Sequence, residues 1–225
     1  MAKTISSPEG LLEGLWIYYD VNITVGRIVG GVPFNEKMIE GWIKAKHPDE
    51  TVHAALIEET KESVDQARDE SEKATWVGFK KDDDYGLYIE GRQVKAMLKE
   101  SASVLRVRFD IAAFKSKVAE RLYVTDQKIY LGVSEPTGSD ERPIHVVTPM
   151  GPRSALKKSD YVEDAELSFT VKALDEPLKT TKEKDRILPS AYVPALLEYA
   201  SENGLGADRS QENGKFTVDS IEERR

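Results

Sequence analysis

The stretch from Gly204 to Phe216 constrains the fold of this chain more than any other part of the sequence. It reads Gly-Leu-Gly-Ala-Asp-Arg-Ser-Gln-Glu-Asn-Gly-Lys-Phe. Apolar residues recur at helical spacing just before it, over 191–200, and an alternating run begins at Lys215. The pattern therefore predicts a helix, a glycine-rich loop and a strand, in that order.

The glycines of this loop leave two interpretations open. Glycine permits positive φ and lets another backbone, or a phosphate, approach closely. Gly204 could be an ordinary helix C-cap in the left-handed conformation, followed by a simple turn. Alternatively, Gly204, Gly206, Ser210 and Gly214 form a loop that admits a phosphate or a partner's backbone.

Composition excludes several classes of site. The chain has 225 residues, of which 40% are hydrophobic and 32% charged, as in a polar globular protein. The absence of cysteine excludes disulfides and thiolate ligands. The histidines, His47, His53 and His145, are scattered. We therefore predict no metal site, no cofactor and no catalytic residue that the sequence identifies.

No apolar run reaches the length of a membrane span, and the first residues lack the core of a signal peptide. We expect a cytoplasmic protein with no membrane contact. The formal charge of −8 argues against simple electrostatic adhesion to nucleic acid. The charges are segregated, however: residues 58–72 are strongly acidic, whereas 92–121 are net basic.

The order of elements predicts an α+β fold. A β-branched and aromatic strand over Trp16–Val25 is followed by a helix from 36 to 46, and the last third reads strand (162–174), helix (190–203) and strand (214–222). This order indicates a ferredoxin-like (RRM-like) split β-α-β sheet with helical and hairpin insertions. We expect the strands Val162–Leu174 and Lys215–Glu222 to flank Trp16–Val25, antiparallel to it.

Three features of the middle segment bear on function. Arg92, Lys95 and Lys99 follow a strand and share one face of a helix, because they are three and four residues apart. Three consecutive aspartates, 82–84, favour a hairpin turn. A basic segment rich in helix and strand breakers, 148–158, is expected to be a loop that carries Arg153, Lys157 and Lys158.

The loop Gly-Leu-Gly-Ala-Asp-Arg-Ser-Gln, followed by Gly-Lys-Phe, resembles the C-terminal glycine-rich loop of the RAMP superfamily, the RRM-like RNA-binding proteins of CRISPR effector complexes. The run from Tyr88 to Lys99 resembles that superfamily's strand end, glycine and basic helix start. The chain departs from the family pattern at Glu212-Asn213-Gly214, where the family has Gly-aromatic-Gly. The resemblance implies one RAMP-like domain over 1–225, with insertions within 47–160.

The resemblance also implies a function. We expect a non-enzymatic subunit that holds an RNA sugar-phosphate backbone and packs against other protein subunits, copies of itself included. The residues expected at the RNA share a positive charge and are Arg92, Lys95, Lys99, Arg153, Lys157, Lys158, Arg209 and Lys215. Two alternatives stay open: an acidic protein-interaction module on the same fold, of host or viral origin, and a metal-independent endoribonuclease that uses His47, His53 or His145.

Overall fold

The structure of the chain is a computed structural model that describes residues 14–34, 57, 76–148, 151–182 and 185–225. For 145–148 and 151–155 it describes the main chain alone. The predicted helix over 36–46, the acidic segment 58–72, His47 and His53 lie outside the described residues.

The described strands are β1 (Trp16–Val29), β2 (Val32–Pro33), β3 (Trp76–Gly78), β4 (Lys80–Asp82), β5 (Gly86–Glu90), β6 (Leu122–Val124), β7 (Lys128–Tyr130), β8 (Gly138–Thr148), β9 (Gly151–Leu174), β10 (Leu178–Lys179), β11 (Arg186–Ile187) and β12 (Phe216–Arg224). The described helices are α1 (Gly91–Phe109), α2 (Phe114–Arg121), α3 (Pro189–Asn203) and a 3₁₀ turn, Arg209–Gln211. The fold is of the α+β class.

β1 is central in the main sheet. It pairs antiparallel with β12 on one side and with β9 on the other, and β9 in turn pairs antiparallel with β6. The expectation that Val162–Leu174 and Lys215–Glu222 flank β1, antiparallel to it, is therefore confirmed. The seven-stranded sheet has the order β12-β1-β9-β3-β2, in which β3 runs parallel to β9, and β6 and β8 also pair with β9.

Strict alternation along β1 and β9 decides which face of the sheet is covered. The odd-numbered residues of β1 from Ile17 to Val25 are buried, and so are those of β9 from Ala165 to Ala173. α1 and α3 contribute to the same core cluster through their apolar stripes, for example Met97 and Leu196. The even-numbered residues of β1 from Trp16 to Gly26 lie on the opposite, partly exposed face.

The prediction of a loop over 148–158 was wrong. Residues 138–148 and 151–161 form β8 and the first half of β9, which pair antiparallel as a long ribbon. Breakers such as Pro143 and Pro152 are tolerated there because a two-stranded ribbon leaves one side of each strand without a ladder partner. The hairpin around Asp82–Asp84 is confirmed, because β4 pairs with β5 and the Asp82 side chain accepts a hydrogen bond from the main-chain N–H of Asp84 (3.2 Å).

Candidate nucleic-acid interface

The two motifs that the sequence singled out meet at one cleft of about 420 Å³. The first three turns of α1 form one wall, through Arg92, Gln93 and Glu100. The glycine loop forms the other, through Gly206 and Arg209. Residues more than 100 positions apart in the chain thus face each other across a groove open to solvent.

The glycine loop is held against the end of β1. The main-chain N–H of Ala207 donates to the carbonyl of Val29 (2.9 Å), and that of Gly214 donates to the carbonyl of Arg27 (2.7 Å). The loop also closes on itself, because Leu205 N–H donates to the carbonyl of Gly214 (2.9 Å). The backbone that comes closest to this loop is therefore the chain's own.

This packing explains Gly206. Its φ is +94°, and a Cβ there would lie 2.9 Å from the Val29 carbonyl oxygen and 2.9 Å from Ile28 Cγ1. Gly204 ends α3, but its φ of 81° and ψ of 165° place it outside the left-handed helical region. Gly204 is therefore the C-cap of α3, as one of the two interpretations had it, but not in the αL conformation. Its conformation is one that essentially only glycine adopts.

Arg209 spans the cleft to reach Glu100 on α1. Its Nη1 donates to Oε2 of Glu100 (2.5 Å) and its Nη2 to Oε1 (3.3 Å). The hydrogen bond from Arg209 lowers the pKa of the Glu100 carboxyl against the opposing effect of burial, and Asn203 adds a weaker hydrogen bond. The cation expected to meet a phosphate is paired with an acid of its own chain.

Asp208, the residue before Arg209, ties the glycine loop to the ribbon of β8 and β9. It accepts hydrogen bonds from Arg142 Nη2 (2.7 Å) and Lys157 Nζ (2.9 Å). Arg142 and Lys157 are directly opposite each other in the β8–β9 register, where like charges destabilise the pair. Asp208 offsets that repulsion, so Lys157 has a structural partner.

The other predicted cations at this end of the sheet also have acidic partners. Lys158 Nζ lies 3.6 Å from Glu141 and over the ring of Trp76, 3.7 Å from its centroid. Lys215 Nζ lies 3.4 Å from Glu212 and 3.7 Å from Glu202. Glu212 therefore partners Lys215. Ser210 is exposed in the 3₁₀ turn, and Arg153 lies in β9 with only its main chain described.

Three predicted cations lie along one side of α1, as the spacing required. Arg92 Nε donates to Glu90 Oε2 (2.8 Å), and its guanidinium also lines the cleft. Lys95 Nζ lies 4.3 Å from the centroid of the Tyr123 ring. Burial, and then the neighbouring charge of Lys99, lower the pKa of Lys95. Among the described residues, neither Lys95 nor Lys99 has a carboxylate partner.

The structure thus brings Arg92, Arg209 and Gly206 to one cleft and places Lys157, Lys158 and Lys215 in ion pairs outside it. Glu100 and Asp208, which pair with cations of the loop and its neighbours, were not predicted from the sequence. Glu100 follows Arg92 by two helical turns, so its presence near that side of α1 could have been predicted, but its partner could not.

In the part of the chain that the structure describes, no group of three or more His, Asp or Glu residues is placed to hold a metal ion. His145 lies in β8 opposite Ser154, with only its main chain described. No helix in the described ranges is both long and apolar enough to span a membrane.

No protein-family model matches the sequence, and no curated protein matches it. A match among solved structures is a chain of the cryo-EM structure of the Type III-B Cmr-beta bound to cognate target RNA, with a TM-score of 0.46 and 14% sequence identity. The match covers 96% of this chain and 63% of that chain, so this chain spans less than two thirds of that neighbour's length.

Proposed function

We propose that this protein is a non-enzymatic RNA-binding subunit of RAMP type, which holds an RNA sugar-phosphate backbone and packs against partner subunits in a CRISPR-type complex. The observation that carries the proposal is the cleft in which the start of α1 meets the glycine loop. Both motifs on which the resemblance rests line this one groove.

The sheet supports the same interpretation of the fold. Within the sheet, β12, β1, β9 and β6 pair antiparallel in that order, with α1 and α3 packed on one face, which fits a split β-α-β arrangement. In this proposal α1 is the first crossover helix and α3 the second. In this proposal residues 1–225 form one domain, with insertions inside 47–160 such as the β4–β5 hairpin.

The charges on α1 supply the electrostatic part of the proposal. Lys95 and Lys99 have no carboxylate partner among the described residues, and burial disfavours the charged form of Lys95. A phosphate at this side of α1 would favour that charged form. Arg92 at the mouth of the cleft and Arg209 across it can each donate to phosphate oxygens in exchange for their carboxylates.

Packing against partner subunits is supported by apolar exposure on the same helix. Val104 and Val107 are 54% and 79% exposed, one turn apart beyond the cleft. An apolar pair on a solvent-facing helix suits a protein contact. The acidic-interaction alternative rests on residues 58–72, which lie outside the described residues. The endoribonuclease alternative rests on histidine side chains, which are not described either.

The proposal is tested by RNA affinity across a salt series, measured by fluorescence anisotropy with labelled single-stranded RNA. Changing Arg92, Lys95 and Lys99 together to Glu should weaken binding and flatten the salt dependence, by about 0.7 in log–log slope for each phosphate that the protein no longer neutralises. The matched control is Lys179, Lys182 and Arg186 changed to Glu, an equal charge reversal on the β10–β11 hairpin. An equal loss of RNA affinity in the two triple variants would contradict the proposal. Absence of RNA binding by the unmodified protein would favour the protein-interaction alternative.

A further inference from the structure

The partly exposed face of the main sheet carries a cluster of aromatic rings at the end away from the glycine loop. Trp16 and Tyr18 lie on β1, two residues apart, and so on the same face. Tyr123 of the edge strand β6 is opposite Lys172 of β9, which is opposite Tyr18 of β1. We call Trp16, Tyr18, Tyr123 and Lys172 the aromatic platform.

The members of the platform are in mutual contact. The Trp16 and Tyr123 rings meet edge to face, with 5.7 Å between centroids and 81° between planes. Lys172 Nζ lies 4.4 Å from the centroid of the Trp16 ring and 5.8 Å from that of Tyr18. Tyr123 is 41% exposed, and its hydroxyl donates to the carbonyl of Glu120 (2.8 Å), which holds the ring in place.

The lysines at the platform differ from the cations near the glycine loop, which are paired with carboxylates. Among the described residues, Lys172 and Lys95 have no carboxylate partner, and each lies over a ring of the platform. Arg224 reaches the Tyr18 ring at 5.0 Å but also pairs with Asp20, Nε to Oδ2 3.0 Å. The platform therefore combines ring surface with two lysine charges open to an anion.

Lys95 connects the platform to the cleft. It lies over Tyr123, while Arg92, one turn earlier on α1, lines the cleft. Side chains three apart on a helix are neighbours, so cations line the path from the cleft to the edge of the platform. A phosphodiester strand that leaves the cleft along α1 would meet the platform next.

We infer that the aromatic platform is a second RNA contact, at which bases of a single strand stack on Trp16 and Tyr123 while Lys172 and Lys95 hold the adjoining phosphates. Rings flanked by cations are what single-stranded nucleic acids require for stacking without sequence preference. The inference rests on the proposed function for the identity of the ligand, RNA. The site itself, however, lies on a different face of the molecule from the cleft.

The test compares a short single-stranded RNA with an abasic ribose-phosphate strand of equal length, which keeps the phosphates and lacks the bases. The unmodified protein should bind the base-bearing strand more tightly. Trp16→Leu and Tyr123→Leu should each weaken binding of that strand about fivefold or more, and leave binding of the abasic strand nearly unchanged. Tyr123 is the safer variant for folding, because its side chain is the more exposed of the two, and thermal melting checks both.

The matched control is Tyr85→Leu. Tyr85 is 67% exposed, contacts the Tyr130 ring with 5.1 Å between centroids, and lies in the β4–β5 turn, outside the main sheet. It should not change the affinity for either strand. Arg209→Gln in the cleft should weaken both strands alike, which separates the two sites.

The remaining outcomes are decisive. Equal affinity of the unmodified protein for both strands, or unchanged binding in the folded Tyr123→Leu variant, would overturn the platform and leave the cleft standing. If the platform variants lose self-association but keep their RNA affinity, the face would be a protein contact. That outcome would also overturn the platform as an RNA contact. Platform variants that weaken binding while Arg209→Gln does not would sustain the platform and overturn the cleft. Absence of binding to either strand would overturn both proposals.

Discussion

Arg209 of the glycine loop donates to Glu100 of α1 across the proposed RNA-binding cleft, with 2.5 Å between Nη1 and Oε2. The pair joins the two motifs on which the function rests, and it also holds a carboxylate where a phosphate would bind. An arriving phosphate must therefore compete with Glu100 for Arg209. We therefore expect the ion pair to stabilise the cleft without a ligand and to lower the affinity for a phosphate.

The first prediction concerns this competition. Glu100→Gln should strengthen RNA binding several-fold at low salt, because the cleft loses a negative charge and Arg209 loses its charged partner. Anisotropy titrations at two salt concentrations measure the effect, which should shrink as salt rises. The control is Glu120→Gln on α2, an equal change of net charge at an exposed residue. Equal gains in both variants would show that net charge alone is responsible.

The second prediction concerns acid stability. Because Arg209 lowers the folded-state pKa of Glu100, the pair contributes stability at pH values above the ordinary carboxyl pKa. That contribution is lost as pH falls through the lowered pKa. The difference in melting temperature between the unmodified protein and Glu100→Gln should therefore narrow below about pH 4. A difference that stays constant down to strongly acidic pH would contradict the assignment.

The third prediction concerns how the glycine loop is held against β1. Gly206→Ala should destabilise the protein by more than about 1 kcal/mol, since its φ of +94° is unfavourable for alanine and the new Cβ would press on Val29. For a chain of this size, each kcal/mol lowers the melting temperature by about 2–4 °C. Gly26→Ala is the matched control, because a Cβ there meets nothing within 4 Å. An unchanged melting temperature for Gly206→Ala would mean that the loop is not held against β1.

The fourth prediction uses Tyr192 of α3, which is fully buried with a hydroxyl that has no hydrogen-bond partner among the described residues. Tyr192→Phe should raise the free energy of unfolding by roughly 1 kcal/mol at neutral pH, because an unsatisfied buried group is removed. Tyr199→Phe, a half-buried tyrosine on the same helix, should change it little. Destabilisation by Tyr192→Phe would reveal a partner for the hydroxyl.

Tyr192 also gives a test at alkaline pH. Burial raises its pKa to about 12, so its contribution is present below the unfolded value near 10 and is lost as pH rises through about 12. The loss of stability over this window should be smaller in Tyr192→Phe than in the unmodified protein. Chemical denaturation at several alkaline pH values measures it.

Local pattern was enough to predict the parts of the fold whose periodicity is strict. The alternation along Val162–Leu174 predicted one of the paired strands, because burying one face of a sheet requires alternate apolar residues, and the β-branched and aromatic residues of Trp16–Val25 predicted the other. The spacing of Arg92, Lys95 and Lys99 placed them on one side of α1. The aspartates at 82–84 predicted a turn through their own side-chain chemistry.

Tertiary structure alone decided which charges the chain neutralises itself. Glu100 and Arg209 are 109 positions apart, and Asp208 is 51 from Lys157. No local pattern identifies such partners, because they depend on how α1, the ribbon and the loop pack together. The sequence by itself determined where the cations, glycines and rings stand along the chain. Packing decided that the glycines contact the chain's own backbone and that the loop cations are paired. It also decided that Tyr123 joins Trp16 and Tyr18 on one face, because contact between distant segments depends on the sheet's register rather than on any one segment.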